Sequence, residues 1–228
     1  MAMIDLQNAS RSYPTPSGTF DALAGVTLGF DAGQLVAVVG KSGSGKSTLV
    51  NLIAGIDRPT RGTVRVGDID VTALPESALA AWRGRHVGIV FQFFQLLPTL
   101  TIAENVMLPM DFCGTARGAK AEARALALLE RVGIADQANK LPTALSGGQQ
   151  QRAAIARALA NDPPVVIADE PTGNLDSHTT EEILDLLREL AHGGTCVVAV
   201  THEREIARRA DRVITLVDGR VSDEARHA

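Results

Sequence analysis

Apolar and polar positions alternate near the start of the chain and follow a helical period in its middle. β-Strands are predicted by the alternation in AMIDLQNAS, by two short apolar runs in TFDALAGVTLGFDAGQLVAVVG, and by LVAVV, which suits a strand buried on both faces. A hairpin with a Gly67-Asp68 turn is predicted in GTVRVGDIDVTAL, with Val71 in its second strand. Helical spacing follows the loop at residues 40–48, at Leu49, Leu52, Ile53 and Ile56.

From about residue 93 to residue 160 the composition changes and is rich in alanine, leucine, arginine and glutamate, which predicts a helical lobe. Gly133 is predicted to end one of its helices. Strand texture returns in PPVVIADE, TCVVAVTHE and DRVITLVDGR, and the first two are separated by the helical pattern TTEEILDLLRELA. Strands that alternate with helices predict an α/β fold with a mostly parallel sheet. The polar last residues, SDEARHA, are predicted to be frayed.

Composition narrows the classes of function without choosing one. The 228 residues suit a single domain, and 45% apolar with 21% charged residues is an ordinary globular balance. A net charge of -4 argues against a nucleic-acid partner. Apolar runs stay shorter than the roughly 18 residues of a membrane span, so no direct membrane insertion is expected. Cys113 and Cys196 are far apart and predict neither a disulfide nor a zinc site.

A glycine-rich loop at residues 40–48, GKSGSGKST, fits the pattern G-x-x-x-x-G-K-[ST]. Its glycines let backbone N–H groups turn toward phosphates, and the following helix adds the positive end of its dipole. Lys46 can reach terminal phosphates, and Ser47 offers a hydroxyl to Mg²⁺. A dinucleotide fingerprint is not matched, because Thr48 stands at its third glycine. We call this segment the phosphate loop; its predicted nucleotide ligands are Gly40, Lys41, Ser42, Gly43, Ser44, Gly45, Lys46, Ser47 and Thr48.

Two acidic residues, Asp169 and Glu170, end the apolar run VVIADE, at the kind of strand end where ligands gather in open α/β sheets. Asp169 is predicted to hold Mg²⁺, and Glu170 to orient the water that attacks the γ-phosphate. His202 ends the run CVVAVTH and is predicted to hydrogen-bond the γ-phosphate or that water. The alternatives are that the two acids only begin the next helix and that His202 only faces solvent.

A second glycine-containing segment, LSGGQ at residues 145–149, precedes the helix-forming run QQQRAAIARALA. Ser146 and Gln149 have the spacing of a capping box, which is a purely structural interpretation. Gly147 and Gly148 also leave N–H groups uncovered at a helix start, which predicts an accessory site for an anion. We call residues 145–149 the signature segment.

The phosphate loop, the signature segment, Asp169-Glu170, the sequence NLD at residues 174–176 and His202 occur in this order, and together they resemble the nucleotide-binding subunit of an ATP-binding cassette (ABC) transporter. The resemblance covers nearly the whole chain. It implies one domain, residues 1–228, with a P-loop NTPase α/β core, an N-terminal antiparallel β subdomain and an inserted α-helical subdomain at about residues 93–160. FQFFQLLPTLTIAENVMLP and DEPTGNLDS are similar to the lipoprotein-releasing, macrolide-export and cell-division-associated branch.

The resemblance also implies roles for individual residues. Tyr13 would stack on adenine, and Asp176 would reach across a head-to-tail homodimer that forms on ATP binding. Each ATP would lie between one chain's phosphate loop and its neighbour's Ser146, Gly147, Gly148 and Gln149. Catalysis is assigned to Glu170, His202, Lys46 and Gln92. Mg²⁺ is assigned to Ser47, Gln92 and Asp169.

The segment around residues 93–97 lies where the family receives an integral membrane permease. Its apolar side chains could instead be core: Phe93, Phe94, Leu96 and Leu97. The implied location is the cytoplasmic face of the inner or plasma membrane, held peripherally through that permease. The implied function couples ATP-driven closure to export or extrusion by the membrane subunit.

Two other functions of ABC proteins are alternatives to export. One is mechanical signalling of the cell-division type, without transport. The other is a soluble ABC ATPase of translation or DNA repair, which the single cassette and the absence of sustained heptads disfavour. A simple nucleotide kinase is disfavoured by residues 145–152.

Overall fold

The chain alternates strands and helices as the α/β prediction requires. The computed structural model describes residues 2–16 and 18–226, and within them it has ten strands and seven α-helices. The strands are β1 (Ile4–Thr15), β2 (Gly18–Phe30), β3 (Leu35–Val39), β4 (Arg61–Val66), β5 (Ile69–Asp70), β6 (Val87–Phe91), β7 (Val165–Asp169), β8 (Cys196–Thr201), β9 (Arg212–Val217) and β10 (Arg220–Arg226). The helices are α1 (Lys46–Ile53), α2 (Glu76–His86), α3 (Ile102–Cys113), α4 (Ala119–Arg131), α5 (Gly147–Ala158), α6 (Ser177–His192) and α7 (Arg204–Arg209).

The larger sheet has six strands in the order β10-β9-β3-β8-β7-β6, and only the β9–β10 pair is antiparallel. Its central strands are apolar on both faces because both faces are covered. In β3, Leu35 and Ala37 pack into one core, whereas Val36 and Val38 pack into the other. The predicted mostly parallel sheet is therefore confirmed.

The smaller sheet is antiparallel and has the order β2-β1-β4-β5. It packs with α1, α2 and one face of the larger sheet around a core that includes Phe30, Leu49 and Trp82. The other face of the larger sheet is covered by α3, α4, α5 and α6, whose buried residues include Met110, Leu129 and Ile155. The antiparallel sheet follows the expectation for the first part of the chain, and α3, α4 and α5 lie within residues 93–160.

Three local predictions are wrong. Helix α1 ends at Ile53, so Ile56 lies beyond it and is exposed instead of continuing the helical period. The sequence predicts a frayed polar end, but Ser222–Arg226 belong to β10, where Glu224 pairs with Ile214 across the sheet. The guanidinium Nε of buried Arg212 lies 2.9 Å from the Glu224 carboxylate, which ties this polar strand to the core. His227 and Ala228 lie outside the described residues. In the β4–β5 hairpin, Val71 begins a short 3₁₀-helix instead of extending the strand.

Four parallel strands bring the predicted site residues to one edge of the larger sheet. Val39 pairs with Thr201, and Asp169 pairs with both Val200 and Phe91. The segments that leave β3, β6, β7 and β8 at their carboxyl ends therefore meet. These segments are the phosphate loop, Gln92, Glu170 and His202. Among residues 2–16 and 18–226, every helix is too short or too polar to span a lipid bilayer.

Candidate functional site

The phosphate loop connects β3 to α1 through residues in conformations that favour glycine. Gly43 and Gly45 have φ of 78° and 101°, in the left-handed region. A Cβ on Gly45 would lie 2.4 Å from the Ala22 carbonyl oxygen, so a side chain there would collide with β2. Gly45 is also the N-cap of α1, and no side chain of the described residues caps that helix. The first turn of α1 thus presents N–H groups without a side-chain acceptor.

Lys46 begins α1, and its ammonium stays at the loop. Its Nζ donates to the carbonyl oxygens of Gly40 at 2.7 Å and of Lys41 at 3.0 Å. These contacts hold a positive charge beside the helix N-terminus, where the dipole already favours an anion. Gly40 itself cannot carry a side chain, because its Cβ would lie 2.4 Å from the Leu216 carbonyl oxygen.

The phosphate loop faces a cleft of about 710 Å³. Among the described residues that line it, Lys46 is the one lysine or arginine. The predicted site residues that line it are Tyr13, Ser42, Gly43, Gly45, Lys46, Ser47, Thr48, Gln92, Asp169, Glu170 and His202. Gly40, Lys41 and Ser44, which are also predicted nucleotide ligands, are not among the lining residues. Ser44 is buried, and its backbone N–H donates to the Lys41 carbonyl oxygen.

Asp169 and Glu170 adjoin in the cleft but have different surroundings. Burial raises the pKa of the Asp169 carboxyl, the neighbouring charge of Glu170 adds to that rise, and Lys46 opposes it. A carboxylate that is destabilised in this way gains from a bound cation. The alternative that these acids begin the next helix is wrong, because Asp176 is the N-cap of α6.

Glu170 is held at both carboxylate oxygens and at its backbone. Its Oε1 lies 2.8 Å from Nδ1 of His202, and its Oε2 accepts a 3.1 Å hydrogen bond from Thr201 Oγ1. Its backbone N–H donates to the Val200 carbonyl oxygen, although its φ of 47° is unusual for a residue with a side chain. These contacts fix the carboxylate at the cleft wall, as the orientation of an attacking water requires.

His202 is exposed, and its imidazole is paired with Glu170. The hydrogen bond to Glu170 raises the pKa of His202, and the charges of Glu170 and Glu203 raise it further. The solvent-facing alternative and the site interpretation are therefore both partly right: 69% of the side chain is accessible, yet one ring nitrogen contacts the acid.

The oxygen donors in the cleft fit a magnesium ion. Ser47, Gln92 and Asp169 offer a hydroxyl, an amide and a carboxylate within one cavity. In the described part of the chain there is no group of three or more His, Cys, Asp or Glu that could hold a metal. Mg²⁺ commonly uses one or two carboxylates together with phosphates and water. This donor set therefore fits an ion that arrives with a phosphate ligand.

The antiparallel sheet contributes two aromatic residues to the cleft. Tyr13 of β1 pairs across the hairpin with Phe20 of β2, and both line the cavity. The Tyr13 hydroxyl donates a 2.8 Å hydrogen bond to Asp57, which fixes the direction of the ring. Phe20, 53% exposed, was not identified from the sequence, and the signal that could have revealed it is its position opposite Tyr13.

The signature segment lies outside this cleft and forms the capping box that its spacing predicts. Ser146 Oγ accepts from the Gln149 backbone N–H, and Gln149 Oε1 accepts from the Ser146 backbone N–H. Gly148 has a packing role, because a Cβ there would lie 2.4 Å from Thr179 Cγ2 on α6. Gly147 has more room, with 3.6 Å from its Cβ position to Leu175.

Asp176, predicted to reach across a dimer, has both carboxylate oxygens occupied within its own chain. Oδ1 accepts from the Thr179 backbone N–H at 3.0 Å, and Oδ2 accepts from its hydroxyl at 2.7 Å. The hydroxyl bond and then the backbone bond lower the pKa of Asp176. The residue is exposed and stays charged at the start of α6, where its role across a dimer stays a prediction.

Gln92 is the first residue of the loop that follows β6, and Arg157 and Asn105 hydrogen-bond to the backbone of this loop. Phe94 and Gln95 both have positive φ, 56° and 54°, and Arg157 donates to both of their carbonyl oxygens. Asn105, fully buried, accepts from the Leu97 N–H and donates to the Leu97 carbonyl oxygen. Of the four apolar side chains, Phe93 is 67% and Leu97 47% exposed, whereas Leu96 packs against the core. The loop therefore exposes two apolar side chains while its backbone is hydrogen-bonded to α3 and α5.

Known proteins match this sequence and this fold. The ABC transporter family model matches residues 23–173. The macrolide export ATP-binding/permease protein MacB of Salmonella typhi is 48% identical over 220 residues, which are 96% of this chain and 34% of that protein. The chain thus spans about a third of MacB. The uncharacterized ABC transporter ATP-binding protein YknY of Bacillus subtilis is 46% identical over 219 residues, which are 96% of this chain and 95% of YknY.

Solved structures agree with these relatives. The dimeric post-hydrolysis state of the ATP-binding cassette MJ0796, bound to ADP and Pi, has a TM-score of 0.90 and 43% identity, over 98% of both chains. The cbiO1 protein of Clostridium perfringens, part of the transporter complex cbiONQ, has a TM-score of 0.86 and 28% identity, over 99% of this chain and 88% of that one.

Proposed function

Since the chain belongs to the ABC transporter family, we propose that it binds ATP with Mg²⁺ in the cleft and hydrolyses it as the ATP-binding part of an exporter. Residues 1–228 act as one nucleotide-binding domain, with a helical subdomain at about residues 93–160. The observation that carries the proposal is the meeting of Lys46, Gln92, Asp169, Glu170 and His202 at the phosphate loop.

The phosphate loop binds the triphosphate through its own backbone. Uncapped N–H groups at the start of α1 and backbone amides of the loop residues that line the cleft, such as Gly43 and Gly45, donate to phosphate oxygens. Lys46 moves its ammonium from the carbonyl oxygens of Gly40 and Lys41 to the terminal phosphates. Ser47, Gln92 and Asp169 hold Mg²⁺, which supplies neutralisation of phosphate charge when bound.

Hydrolysis uses the fixed carboxylate of Glu170. Its position beside Thr201 and His202 lets it orient a water and accept that water's proton as the γ-phosphate is transferred. His202 lies close enough to contact the same phosphate, and pairing with Glu170 favours its protonated form, which can donate to an anion. The reaction therefore depends mainly on positioning and charge, which these contacts supply.

A second copy of the chain supplies the other wall of the site. Ser146, Gly147, Gly148 and Gln149 lie outside the cleft, at an exposed helix start that can present N–H groups to a neighbour's nucleotide. A head-to-tail homodimer formed on ATP binding would bring each signature segment to the opposite phosphate loop, with Asp176 at the contact. The dimeric ADP- and Pi-bound form of MJ0796 supports this arrangement.

A membrane permease that contacts the loop at residues 93–97 would carry out the export. Phe93 and Leu97 give that loop exposed apolar surface on a braced frame, close to Gln92 in the cleft. The protein then sits on the cytoplasmic face of the inner or plasma membrane through its permease. The MacB relatives, named as macrolide export ATP-binding/permease proteins, favour export over mechanical signalling. Co-purification from native membranes with wild-type chain, but not with a Phe93→Ser/Leu97→Ser variant, tests the surface.

The ATPase proposal is tested by Glu170→Gln. We expect ATP binding to persist while hydrolysis falls by about 10²- to 10⁴-fold, the usual contribution of a positioned proton acceptor. Trapped ATP should make the variant accumulate as a dimer in size-exclusion chromatography with ATP and Mg²⁺. Glu205→Gln, an exposed acid on α7, is the matched control and should keep wild-type turnover. A strictly monomeric Glu170→Gln protein would count against the dimeric site.

A further inference from the structure

Arg11, Tyr13 and Asp57 contact one another beside the cleft that Tyr13 lines. The Tyr13 hydroxyl donates to Asp57 Oδ2 at 2.8 Å, and Arg11 Nε lies 2.8 Å from the same oxygen. The Arg11 guanidinium also lies over the Tyr13 ring, 4.7 Å from its centroid. One carboxylate oxygen thus binds both neighbours, and the cation covers one face of the ring.

Asp57 connects this cluster to the helix of the phosphate loop. It follows the end of α1, and its backbone N–H donates to the Asn51 carbonyl oxygen at 3.1 Å. Its second oxygen, Oδ1, accepts from the Arg58 N–H at 2.7 Å. The carboxylate and the guanidinium are only partly exposed, with 26% of the Arg11 and 22% of the Asp57 side chain accessible. Through Asp57, the position of the Tyr13 ring is therefore fixed relative to α1 as well as to β1.

Given the proposed ATP site, on which this inference rests, we propose that Arg11 and Asp57 are positioning residues for recognition of the nucleotide base. Together they hold the Tyr13 ring with one face under the guanidinium, so that a base stacks on the other face, in the cleft. A large purine gains more from a fixed aromatic surface than a small pyrimidine does. The pair therefore contributes to selection of ATP over CTP, while leaving the phosphates to residues 40–48.

The test compares affinities for MgATP, MgCTP and magnesium tripolyphosphate by calorimetry, in wild type, Tyr13→Leu, Arg11→Met and Asp57→Asn. Stacking on an aromatic side chain accounts for about tenfold in affinity per base, within the usual range for such contacts. We expect Tyr13→Leu and Arg11→Met to weaken ATP binding by up to about that factor, with a smaller loss for CTP and no loss for tripolyphosphate. Arg65→Met, at an exposed position of β4, is the matched control.

A spectroscopic readout is available because Tyr13 is the only tyrosine. Protein labelled with 3-fluorotyrosine should give one ¹⁹F resonance, which ATP shifts and tripolyphosphate does not. In Arg11→Met and Asp57→Asn the resonance should move before any nucleotide is added. Equal loss of ATP and tripolyphosphate affinity in Arg11→Met would overturn the inference, as would unchanged ATP affinity in both positioning variants. Wild-type protein that binds tripolyphosphate but not ATP would refute the proposed function itself.

Discussion

The two glycine-containing helix starts, at α1 and at α5, are built in opposite ways. Gly45 is the N-cap of α1, with a left-handed φ of 101°; no side chain of the described residues caps this helix, and Lys46 is its first residue. Ser146 is the N-cap of α5 in extended conformation, and its reciprocal capping box with Gln149 already satisfies part of the first turn. Arg152, a basic residue within α5, donates to the Val132 carbonyl oxygen and to the Glu182 carboxylate.

This difference explains how one chain can have two glycine-containing helix N-termini that do not compete for the same nucleotide. An anion at α1 meets free N–H groups and a lysine, so that site can bind phosphate alone. An anion at α5 finds a start that Ser146 already caps, and such caps contribute about 1 kcal/mol to stability. Under the proposed function, the signature segment would therefore act on a nucleotide that is already bound by another phosphate loop. This is the behaviour expected of the second wall of a dimeric site.

The largest expected effects come from changing each helix start separately. Lys46→Ala removes the cation at the α1 start. We expect hydrolysis to be lost and ATP affinity to fall by about 10- to 100-fold, because a hydrogen bond to a charged group contributes about 1.5–3 kcal/mol. Ser146→Arg should abolish hydrolysis at the α5 start while ATP binding to the monomer stays within about threefold of wild type. Equilibrium binding of a fluorescent ATP analogue and phosphate release measure the two effects.

Ser146→Ala is the milder control, since it removes the cap without adding bulk to a dimer contact.

Mixing two variant chains tests whether each site is built from two chains. An equimolar mixture of Lys46→Ala and Ser146→Arg chains can form a heterodimer in which one site pairs an intact phosphate loop with an intact signature segment. Recovery of part of the activity would support two chains per site. Equal loss of ATP binding by Ser146→Arg and Lys46→Ala would contradict the division between the two starts.

The parts of this molecule that could be predicted from sequence depend on neighbours along the chain. The phosphate loop, the capping box of α5 and the strand-end positions of Asp169 and His202 each follow from a few adjacent residue types. For the same reason β3, β7 and β8 were recognisable as continuous apolar runs. The part of the cleft edge formed by β3, β7 and β8 then follows from parallel pairing, which is a rule for whole strands.

The parts that could not be predicted depend on contacts between distant residues. Ser222–Arg226 are polar, and they form a strand because Arg212 and Glu224 pair across 12 positions of chain. Phe20 enters the cleft only through its register with Tyr13. Thr201 has no motif of its own, and its hydrogen bond to Glu170 spans 31 residues. Strand β6 was missed because its short apolar run, VGIVF, borders directly on the loop of Gln92.

An effect on stability should distinguish the two adjacent glycines of the signature segment. Gly148→Ala places a Cβ 2.4 Å from Thr179 Cγ2, and such overpacking costs about 1–3 kcal/mol. The better helix propensity of alanine returns at most about 1 kcal/mol, so we expect a net loss in the free energy of unfolding. Gly147→Ala, with its nearest contact at 3.6 Å, should be close to neutral. Urea unfolding followed by circular dichroism measures both.

The double variant Gly148→Ala/Thr179→Ser makes this prediction specific. Serine removes Cγ2 and keeps the hydroxyl that donates to Asp176 at 2.7 Å, so much of the lost stability should return. If the double variant is as unstable as Gly148→Ala alone, the glycine is not required by α6. Gly148 would then be kept for the anion site only, and the structural half of the comparison would be wrong.

The smallest expected effect concerns whether the α1 side of the site is already arranged in a single chain. His202 and Glu170 are in contact without a second copy, so the histidine should titrate with a pKa above its ordinary value of about 6.5. The pair then adds stability below about pH 6.5, and this contribution is lost as the pH rises through the raised pKa. Because the imidazole is exposed, the change in stability should be small.

NMR titration of the ring, assigned with a His202→Gln variant, measures the pKa directly. Glu170→Gln should lower it toward the ordinary value, and Glu203→Gln should lower it less, because Glu203 acts only through its charge. An unshifted histidine in wild-type monomer would mean that the pair forms only on dimer closure, and the two sides of the site would then both depend on the partner.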